Sequence, residues 1–270
     1  MMRTRDARTA LVLLAVLLAG AGCAQEAHDG SPESSRSDPL PSADGPTVLV
    51  FTKTAGYRHA SIPDGVRMIR DLGRDHGFAV VHSEDAGVFD DEALTGYAAA
   101  VFLSTTGDIL DGRQQAAFEG YIRGGGGFVG LHAAADTEYD WAWYGGLVGA
   151  WFERHPRVQA AVVEVADPAH PSTRMLPARW ERTDEWYDYR HNPRGDVHVL
   201  LTLDEDSYDG GKMGGDHPIA WCRRYDGGRS WYTGGGHTRE SYAEPLFRRH
   251  VLGGIRWAMG VEAGECGSQL

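Results

Sequence analysis

Short apolar segments that alternate with helical ones constrain the fold of this chain more than any other feature. Residues 47–53 (TVLVFTK) are apolar and rich in β-branched side chains, which is typical of a buried strand. The same pattern recurs at residues 78–82, 98–104 and 127–131, with helical segments after Ser61 and at residues 111–123. Continuously apolar strands separated by helices form parallel sheets that are covered on both faces. The sequence therefore predicts an α/β fold with a mostly parallel sheet and helices on both faces.

The second half of the chain has a different pattern. Residues 136–153 are rich in Trp, Tyr and Gly and hold no single period. Beyond them we predict strands at residues 159–165 and 197–203, a hairpin of residues 219–225 and 230–233 joined through Asp226-Gly227-Gly228, and a final amphipathic helix at residues 244–259. One domain from about residue 47 to 260 is expected, with residues 261–270 as a flexible tail.

The first 46 residues are predicted to be a targeting signal followed by a disordered tether. Three arginines precede an uncharged run, residues 9–25, whose apolar part is far shorter than the ~20 residues that a membrane span needs. Small residues stand directly before Cys23, as in the lipobox of bacterial lipoproteins. Residues 1–22 are thus predicted to be a signal peptide and Cys23 a lipidated residue, with ordinary secretion as the alternative. Residues 23–46 have the composition of a disordered tether, which gives an exported protein anchored to the outer face of the bacterial membrane.

Charge and cysteine content exclude several classes of partner and cofactor. The 26 basic and 38 acidic side chains give a net charge of −12, so nucleic acid is not an expected partner. The glycine clusters lack the spacing of a dinucleotide or P-loop site, so no nucleotide cofactor is expected. Three cysteines exclude a four-cysteine zinc site. In an exported protein Cys222 and Cys266 could pair, or Cys222 could be a buried thiol.

Residues that directly follow strands are the first candidates for chemistry, because ligands of open α/β sheets bind at the carboxyl ends of the strands. Tyr57, Arg58 and His59 follow the first strand, and His132 follows the fourth in Gly-Leu-His-Ala-Ala. In α/β hydrolases a nucleophile occupies such a turn. A histidine there forms no acyl-enzyme by the usual route, but it can act as a base or a metal ligand. The alternative is a ring that only bonds to a backbone carbonyl.

Two later segments add candidate side chains. Residues 184–187 (DEWY) place Asp184 and Glu185 beside two aromatic rings, where partial burial can raise the pKa of a carboxyl group. These acids could equally be solvated. Residues 233–238 (TGGGHT) place His237 on a glycine-rich approach, which could also be an ordinary turn.

Aromatic residues point to a sugar ligand. Five of the eight tryptophans fall between residues 141 and 186 among tyrosines and acids. Exposed aromatic faces beside polar groups suit sugar rings, although a packed aromatic cover over the sheet would have the same composition. The chain has no metal-binding motif of short spacing, so any metal site must be assembled from distant residues.

Taken together, five segments of this sequence resemble the trehalose-utilisation, or ThuA-like, family. They are residues 53–59 (KTAGYRH), 127–136 (GFVGLHAAAD), 184–187 (DEWY), 216–221 (DHPIAW) and 235–238 (GGHT). The resemblance covers residues 47–260 and implies a flavodoxin-like sheet of the class I glutamine amidotransferase-like group. It also implies a role in the catabolism of trehalose or related disaccharides through 3-keto sugars. The wider group has a cysteine where this chain has His132, so glutamine hydrolysis is not implied.

The resemblance also assigns roles to residues. By position, His132, Glu185 and His237 become the expected catalytic centre. Whether a metal ion is bound stays open, with the same three residues as tentative ligands of a divalent ion. Substrate contacts are expected from six residues: Tyr57, Arg58, His59, Asp136, Trp141 and Tyr187, of which Trp141 and Tyr187 would form a sugar platform. The leading hypothesis is an exported enzyme that acts on a carbohydrate. The alternatives are a sugar-binding lipoprotein without turnover and a metal-dependent hydrolase of a non-sugar substrate. The oligomeric state stays open.

Overall fold

The computed structural model describes residues 45–267. The predicted signal peptide, the lipidated Cys23 and the tether up to residue 44 lie outside the described residues. Within residues 45–267, no helix combines the length and the apolar character that crossing a membrane requires.

The described residues form eleven strands and five α-helices. The strands are β1 Thr47–Phe51, β2 Ala79–Ser83, β3 Ala99–Leu103, β4 Gly127–Leu131, β5 Phe152–Arg154, β6 Gln159–Val165, β7 Arg179–Asp184, β8 Asp188–Tyr189, β9 His198–Asp204, β10 Pro218–Tyr225 and β11 Gly228–Thr233. The helices are α1 Ile62–His76, α2 Asp91–Leu94, α3 Gly112–Arg123, α4 Ala142–Val148 and α5 Pro245–Ala258. The early strands and the helices α1, α3 and α5 agree with the sequence prediction to within a few residues.

Nine strands make one mixed sheet in the order β2-β1-β3-β4-β11-β10-β9-β6-β7. The first five strands of this order are parallel, and the other pairings are antiparallel. The α/β class is therefore confirmed, but the predicted parallel pairing holds only in this half, and the sheet as a whole is mixed. The reason is local: a two-residue connection such as Asp226-Gly227, with φ of 46° and 95°, can join only antiparallel strands.

Helices cover both faces of the parallel half. Neighbouring side chains of a strand point to opposite faces, and β3 shows both partners. Phe102 stacks on Phe118 of α3 with ring centroids 5.2 Å apart. Leu103 lies on the other face, where it packs so close to α1 that a Cβ at Gly65 would lie 2.8 Å from its Cδ2. The predicted two-sided cover is present.

Strand β7 was not predicted from the sequence, and neither were the short β5 and β8. In β7 buried and exposed residues alternate, as expected for an edge strand. Two of its inward-facing residues are Arg182 and Asp184, which are charged. The apolar alternation that identifies a half-buried strand is therefore missing.

The segment after α5 is held against the domain. Cys266 is buried and forms a disulfide with Cys222, with an S–S distance of 1.99 Å. The indole nitrogen of Trp257 donates to the carbonyl of Gly264 at 3.1 Å. A flexible tail was expected from residue 261 on; in its described part, residues 261–267, a buried disulfide joins the segment to β10. The pairing of the two cysteines, which the sequence left open, is present.

Candidate active site

His132 occupies a sharp turn at the carboxyl end of β4. Its φ of 51° lies in the left-handed region, which side chains other than glycine seldom adopt. Such strain is concentrated at functional sites. The ring is fully buried, and its Nδ1 donates to the carbonyl of Gly234 at 2.9 Å. Because a carbonyl only accepts, Nδ1 carries the proton and Nε2 presents a lone pair. One ring nitrogen thus bonds to backbone, and the other is left for chemistry.

The lone pair of His132 faces two side chains from distant segments. Its Nε2 lies 3.2 Å from Nδ1 of His237 and 3.5 Å from Oε2 of Glu185. The latter two atoms are 3.1 Å apart. We call His132, Glu185 and His237 the His/Glu centre. The structure brings together the three residues that the sequence analysis singled out for catalysis.

Sheet topology explains the meeting of two of these residues. Leu131 of β4 pairs in parallel with Thr233 of β11, so the segments that follow both strands emerge at the same edge of the sheet. Glu185 arrives from β7, which lies at the far side of the sheet order. Its position depends on Asp184, the last residue of β7.

Asp184 joins the two loops of the centre through its buried carboxylate. It accepts the backbone N–H groups of Gly236 at 2.8 Å and His237 at 3.0 Å. It also accepts from Arg182 at 2.8 Å, and Arg182 in turn pairs with Glu244. Burial would raise the pKa of Asp184, but the Arg182 guanidinium and the donors around it hold that pKa below its usual range. The sequence analysis noted Asp184 only as a neighbour of Glu185 and missed Arg182, whose role no local pattern reveals.

The charges within the centre follow from its contacts. Burial alone would raise the pKa of Glu185, but the neighbouring imidazoles of His132 and His237 outweigh burial and lower it well below the usual range. Burial lowers the pKa of His237, and the Glu185 carboxylate more than compensates, so the pKa of His237 is raised. Glu185 is therefore ionised at neutral pH and favours the protonated form of His237.

His59 and Tyr187 complete the polar surroundings. Tyr187 is buried, and its hydroxyl donates to Nε2 of His132 at 3.1 Å. His59 is 5% exposed, and its ring lies edge to face against those of His132 and His237, at centroid distances of 4.8 and 5.2 Å. Burial, together with these two neighbouring imidazoles, lowers the pKa of His59 to about 3. His59 therefore stays neutral at neutral pH.

Tyr57 and Asp136 lie at the edge of the centre. The Tyr57 ring is 65% exposed and contacts His59 at a centroid distance of 4.8 Å. Asp136 accepts from the hydroxyl of Tyr139 at 2.6 Å, and burial raises the pKa of its carboxyl group. Both positions agree with the expected location beside the centre.

The structure separates Arg58 and Trp141 from the centre. Arg58 is exposed, and its guanidinium pairs with Glu84 at 2.5 Å. Trp141 stacks on Trp143 at a centroid distance of 5.1 Å, and its indole nitrogen donates to Glu119 of α3. The expected sugar platform of Trp141 with Tyr187 is therefore wrong for Trp141, which belongs to the aromatic cover over the sheet. Aromatic composition alone did not distinguish these two environments.

His155 is a member of the site that the sequence analysis missed. Its Nδ1 lies 3.0 Å from Oε1 of Glu185, and its ring stacks on Tyr187 at 6.0 Å. It directly follows the three-residue strand β5, which the irregular aromatic segment concealed. The His/Glu centre meets solvent beside three partly exposed residues: Tyr57, His155 and His237.

A cavity lies at the opposite end of the sheet. Its volume is about 820 Å³, and its lining includes Arg223, Arg224 and Tyr225. Tyr225 pairs with Gly228, and the neighbouring Arg229 pairs with Gly127 at the start of β4, whereas His132 follows the end of β4. The cavity is therefore separate from the His/Glu centre.

The chain is thus an α/β protein with a polar centre at the carboxyl ends of its parallel strands, able to accept, donate and relay protons. A family model described as trehalose utilisation (ThuA) matches residues 47–258. The chain belongs to this family, as its sequence motifs predicted. No curated protein matches the chain.

Solved structures of similar fold agree with this assignment. A ThuA-like protein from Bacteroides uniformis is 25% identical, with a TM-score of 0.67 over 82% of this chain and 95% of that one. A ThuA-like protein from Parabacteroides merdae is 20% identical, with a TM-score of 0.66 over 82% of this chain and 92% of that one. A β-galactosidase from Bacillus circulans sp. alkalophilus is 12% identical, with a TM-score of 0.54 over 80% of this chain and 31% of that one. The last two resemblances concern the fold alone.

Proposed function

We propose that this protein is an enzyme of disaccharide breakdown that acts on a 3-keto sugar, such as 3-keto-trehalose, at the His/Glu centre. The observation that carries the proposal is the convergence of His132, Glu185 and His237 within 3.5 Å of one another from three remote segments. Membership of the trehalose-utilisation family supports the substrate class.

The reaction would be an elimination that begins with removal of a proton. A C–H bond next to a keto group is acidic enough for a carboxylate or imidazole base in a partly buried site. Glu185 or Nε2 of His132 takes this proton, and the C–H electron pair forms a carbon–carbon double bond as the neighbouring glycosidic C–O bond breaks. The leaving sugar oxygen takes a proton from His237, whose protonated form Glu185 stabilises. The step yields an unsaturated keto sugar and a free sugar, and consumes no water.

The surroundings of the centre suit a sugar. The exposed Tyr57 ring offers an apolar face beside the centre, and Asp136 offers a hydroxyl-binding carboxyl group. Ordinary glycosidases need two carboxyl groups on either side of the bond that breaks. Here Asp184 is buried against Arg182 and holds the loops, so it is not available as Glu185's partner. This arrangement favours elimination over glycosidase chemistry.

Product analysis tests the proposal. The purified protein is incubated with trehalose and with 3-keto-trehalose, with and without a chelator, and the products are followed by mass spectrometry. We expect cleavage of the keto sugar, and its loss in the variant His132→Asn/His237→Gln. The exposed His76→Gln at the end of α1 should retain cleavage. Asparagine is chosen at residue 132 because it tolerates the left-handed backbone. Binding without product would instead indicate a sugar-binding protein, and cleavage by the double variant would place the chemistry elsewhere.

We further propose that the protein is exported and lipid-anchored through Cys23. The Cys222–Cys266 disulfide supports export, because disulfides persist in oxidising compartments. Membrane fractionation of cells that express the wild type or Cys23→Ala tests the anchor. The wild type is expected with the membrane and the variant in the soluble fraction, and equal distribution would contradict the proposal.

The finer fold assignment is also a proposal. The order β2-β1-β3-β4-β11 of the parallel strands supports a flavodoxin-like half-sheet, because doubly wound sheets of that kind have the order 2-1-3-4-5. A crystal structure with a different strand order in this half would contradict it.

A further inference from the structure

Four side chains at the bottom of the site place ligand-type atoms around one point. His59, His132, Glu185 and His237 each offer a nitrogen or carboxylate oxygen, and these four atoms all lie within 4.8 Å of one another. They come from four separate parts of the chain, since His59 follows β1. Three imidazoles and one carboxylate form a donor set that divalent transition metals prefer.

The spacing of three of these atoms matches tetrahedral coordination. The distances among Nε2 of His132, Nδ1 of His237 and Oε2 of Glu185 are 3.1, 3.2 and 3.5 Å. Zinc bonds of about 2.0–2.1 Å at tetrahedral angles separate neighbouring ligand atoms by about 3.3–3.4 Å. The triangle therefore needs only small adjustments to hold an ion, and in its absence hydrogen bonds hold the same atoms.

The outer contacts orient the donors as they do around bound metals. A ligating histidine usually donates its second ring nitrogen to a carbonyl or carboxylate, which fixes the tautomer. His132 does so through Nδ1 to the Gly234 carbonyl. The second oxygen of Glu185 lies 3.0 Å from Nδ1 of His155 and faces away from the centre, which leaves Oε2 for the ion.

The environment of His59 is a second observation, separate from the distances above, that points to a bound ligand. Its side chain is more than nine-tenths buried against the rings of His132 and His237, yet its Nδ1 has no hydrogen-bond partner among residues 45–267. A buried polar nitrogen without a partner is costly unless something else binds the side chain. The described residues contain two other ligand-type clusters. In the first, Nε2 of His170 also lacks a partner, but the two sulfurs beside it are joined in the Cys222–Cys266 disulfide and are not free to bind a metal ion.

The second such cluster is Asp188, Glu205 and His217. Asp188 pairs with Arg154 at 2.8 Å, and Glu205 accepts from Nδ1 of His217 at 2.9 Å. His217 also bonds to the carbonyl of Tyr187 through its other nitrogen. These internal contacts give this cluster a structural role. The cluster that contains His59 is therefore the best candidate for a metal site among the described residues.

We propose that His59, His132, Glu185 and His237 bind one divalent transition-metal ion of the zinc class. The inference deepens the proposed function and rests on it for any catalytic role, whereas binding of the ion is tested by itself. The keto oxygen of the substrate would join the four side chains as a fifth ligand, and the ion would polarise it. The imidazoles would then act as ligands, and Oε1 of Glu185 would accept the C–H proton and pass it to the leaving sugar oxygen.

Metal titration tests the proposal without any substrate. The full chain, purified without a histidine tag, is stripped with a chelator, and Zn²⁺ is titrated in competition with a chromophoric chelator. Co²⁺ is added in parallel, because tetrahedral cobalt absorbs strongly in the visible range. We expect one ion per chain and a visible cobalt spectrum. His59→Gln and Glu185→Gln should each weaken zinc binding by about tenfold or more, and exposed His76→Gln should leave it unchanged.

The outcomes separate the two proposals. A folded wild type, verified by circular dichroism, that binds no zinc would overturn the metal site and leave the acid–base mechanism in place. Unchanged zinc affinity in His59→Gln would also overturn the four-ligand site. Zinc binding as described, combined with failure to cleave 3-keto-trehalose, would support the metal site and contradict the proposed function.

Discussion

Buried polar residues are the chemically distinctive residues of this protein. His132 adopts a left-handed conformation, Asp184 is a fully buried carboxylate, and His59 is an imidazole with an unpaired nitrogen. Each of these features costs stability in isolation. The pairing with Arg182 and with backbone N–H groups offsets the cost of burying Asp184. His132 and His59 instead pack edge to face against each other. The cost is therefore concentrated where chemistry is proposed.

His250 gives a pH prediction at the residue scale. It is fully buried, it donates through Nδ1 to the Ser172 carbonyl, and burial lowers its pKa to about 3 from 6.5. Between these pH values the unfolded chain binds a proton that the folded chain does not, so stability falls as pH falls from 6.5. His250→Asn, which keeps a donor, should reduce this slope by about 1.4 kcal/mol per pH unit. Urea unfolding at pH 5, 6 and 7 measures it, and a slope equal to that of wild type and His76→Gln would contradict the prediction.

The packing of the helices depends on glycines that let the backbone come close to its neighbours, as well as on the apolar pattern of the helix. Helix α5 packs on β11 through Gly254, where an added Cβ would lie 2.5 Å from the indole of Trp231, whereas its Gly253 lies against the backbone of Pro171. Helix α3 begins with a capping box in which Asp111 and Gln114 satisfy each other's backbone N–H groups. Sequence reasoning located both helices, but which glycines of a helix permit contact can be known only from the packing.

A pair of glycine substitutions tests this distinction. Gly254→Ala should lower the free energy of unfolding by about 1–3 kcal/mol, because the methyl group collides with buried Trp231. Gly120→Ala in α3 meets nothing within 4 Å and should raise it by about 0.5–1 kcal/mol through helix propensity. Urea unfolding of both variants is the measurement. If both substitutions stabilise the protein, α5 does not pack as described.

At the scale of the whole molecule, a covalent link ties the last described residues to the sheet. The Cys222–Cys266 disulfide spans 44 residues of sequence. Cross-linking a loop of that length restricts the unfolded chain, and removing the link should lower the free energy of unfolding by about 2–4 kcal/mol. Cys222→Ala/Cys266→Ala compared with the wild type in urea measures this effect, and a reductant should not affect the double variant. Equal stability of the two proteins would contradict a formed disulfide.

The sequence predicts the parallel strands and the three residues of the His/Glu centre, but not the residues that surround the centre. Strands β3 and β4 are apolar throughout and β1 nearly so, which predicts them, whereas β7 carries Arg182 and Asp184 inward and has no such pattern. His132 and His237 were found because each follows a predicted strand and lies in a segment that resembles the family, whereas the adjacency of their strands is seen only in the sheet. His155 and the burial of His59 depend on how distant loops pack, which no spacing in the sequence encodes.

The central claim is that His132, Glu185 and His237 act as one unit. When two residues act together in catalysis, the effects of substituting them on kcat/KM are not additive in free energy. The direct measurement is kcat/KM on 3-keto-trehalose for His132→Asn, His237→Gln and their combination. The account predicts a loss of about 100-fold or more for each single variant and little further loss for the double variant. A double variant whose loss equals the product of the two single losses, or single variants with wild-type activity, would contradict it.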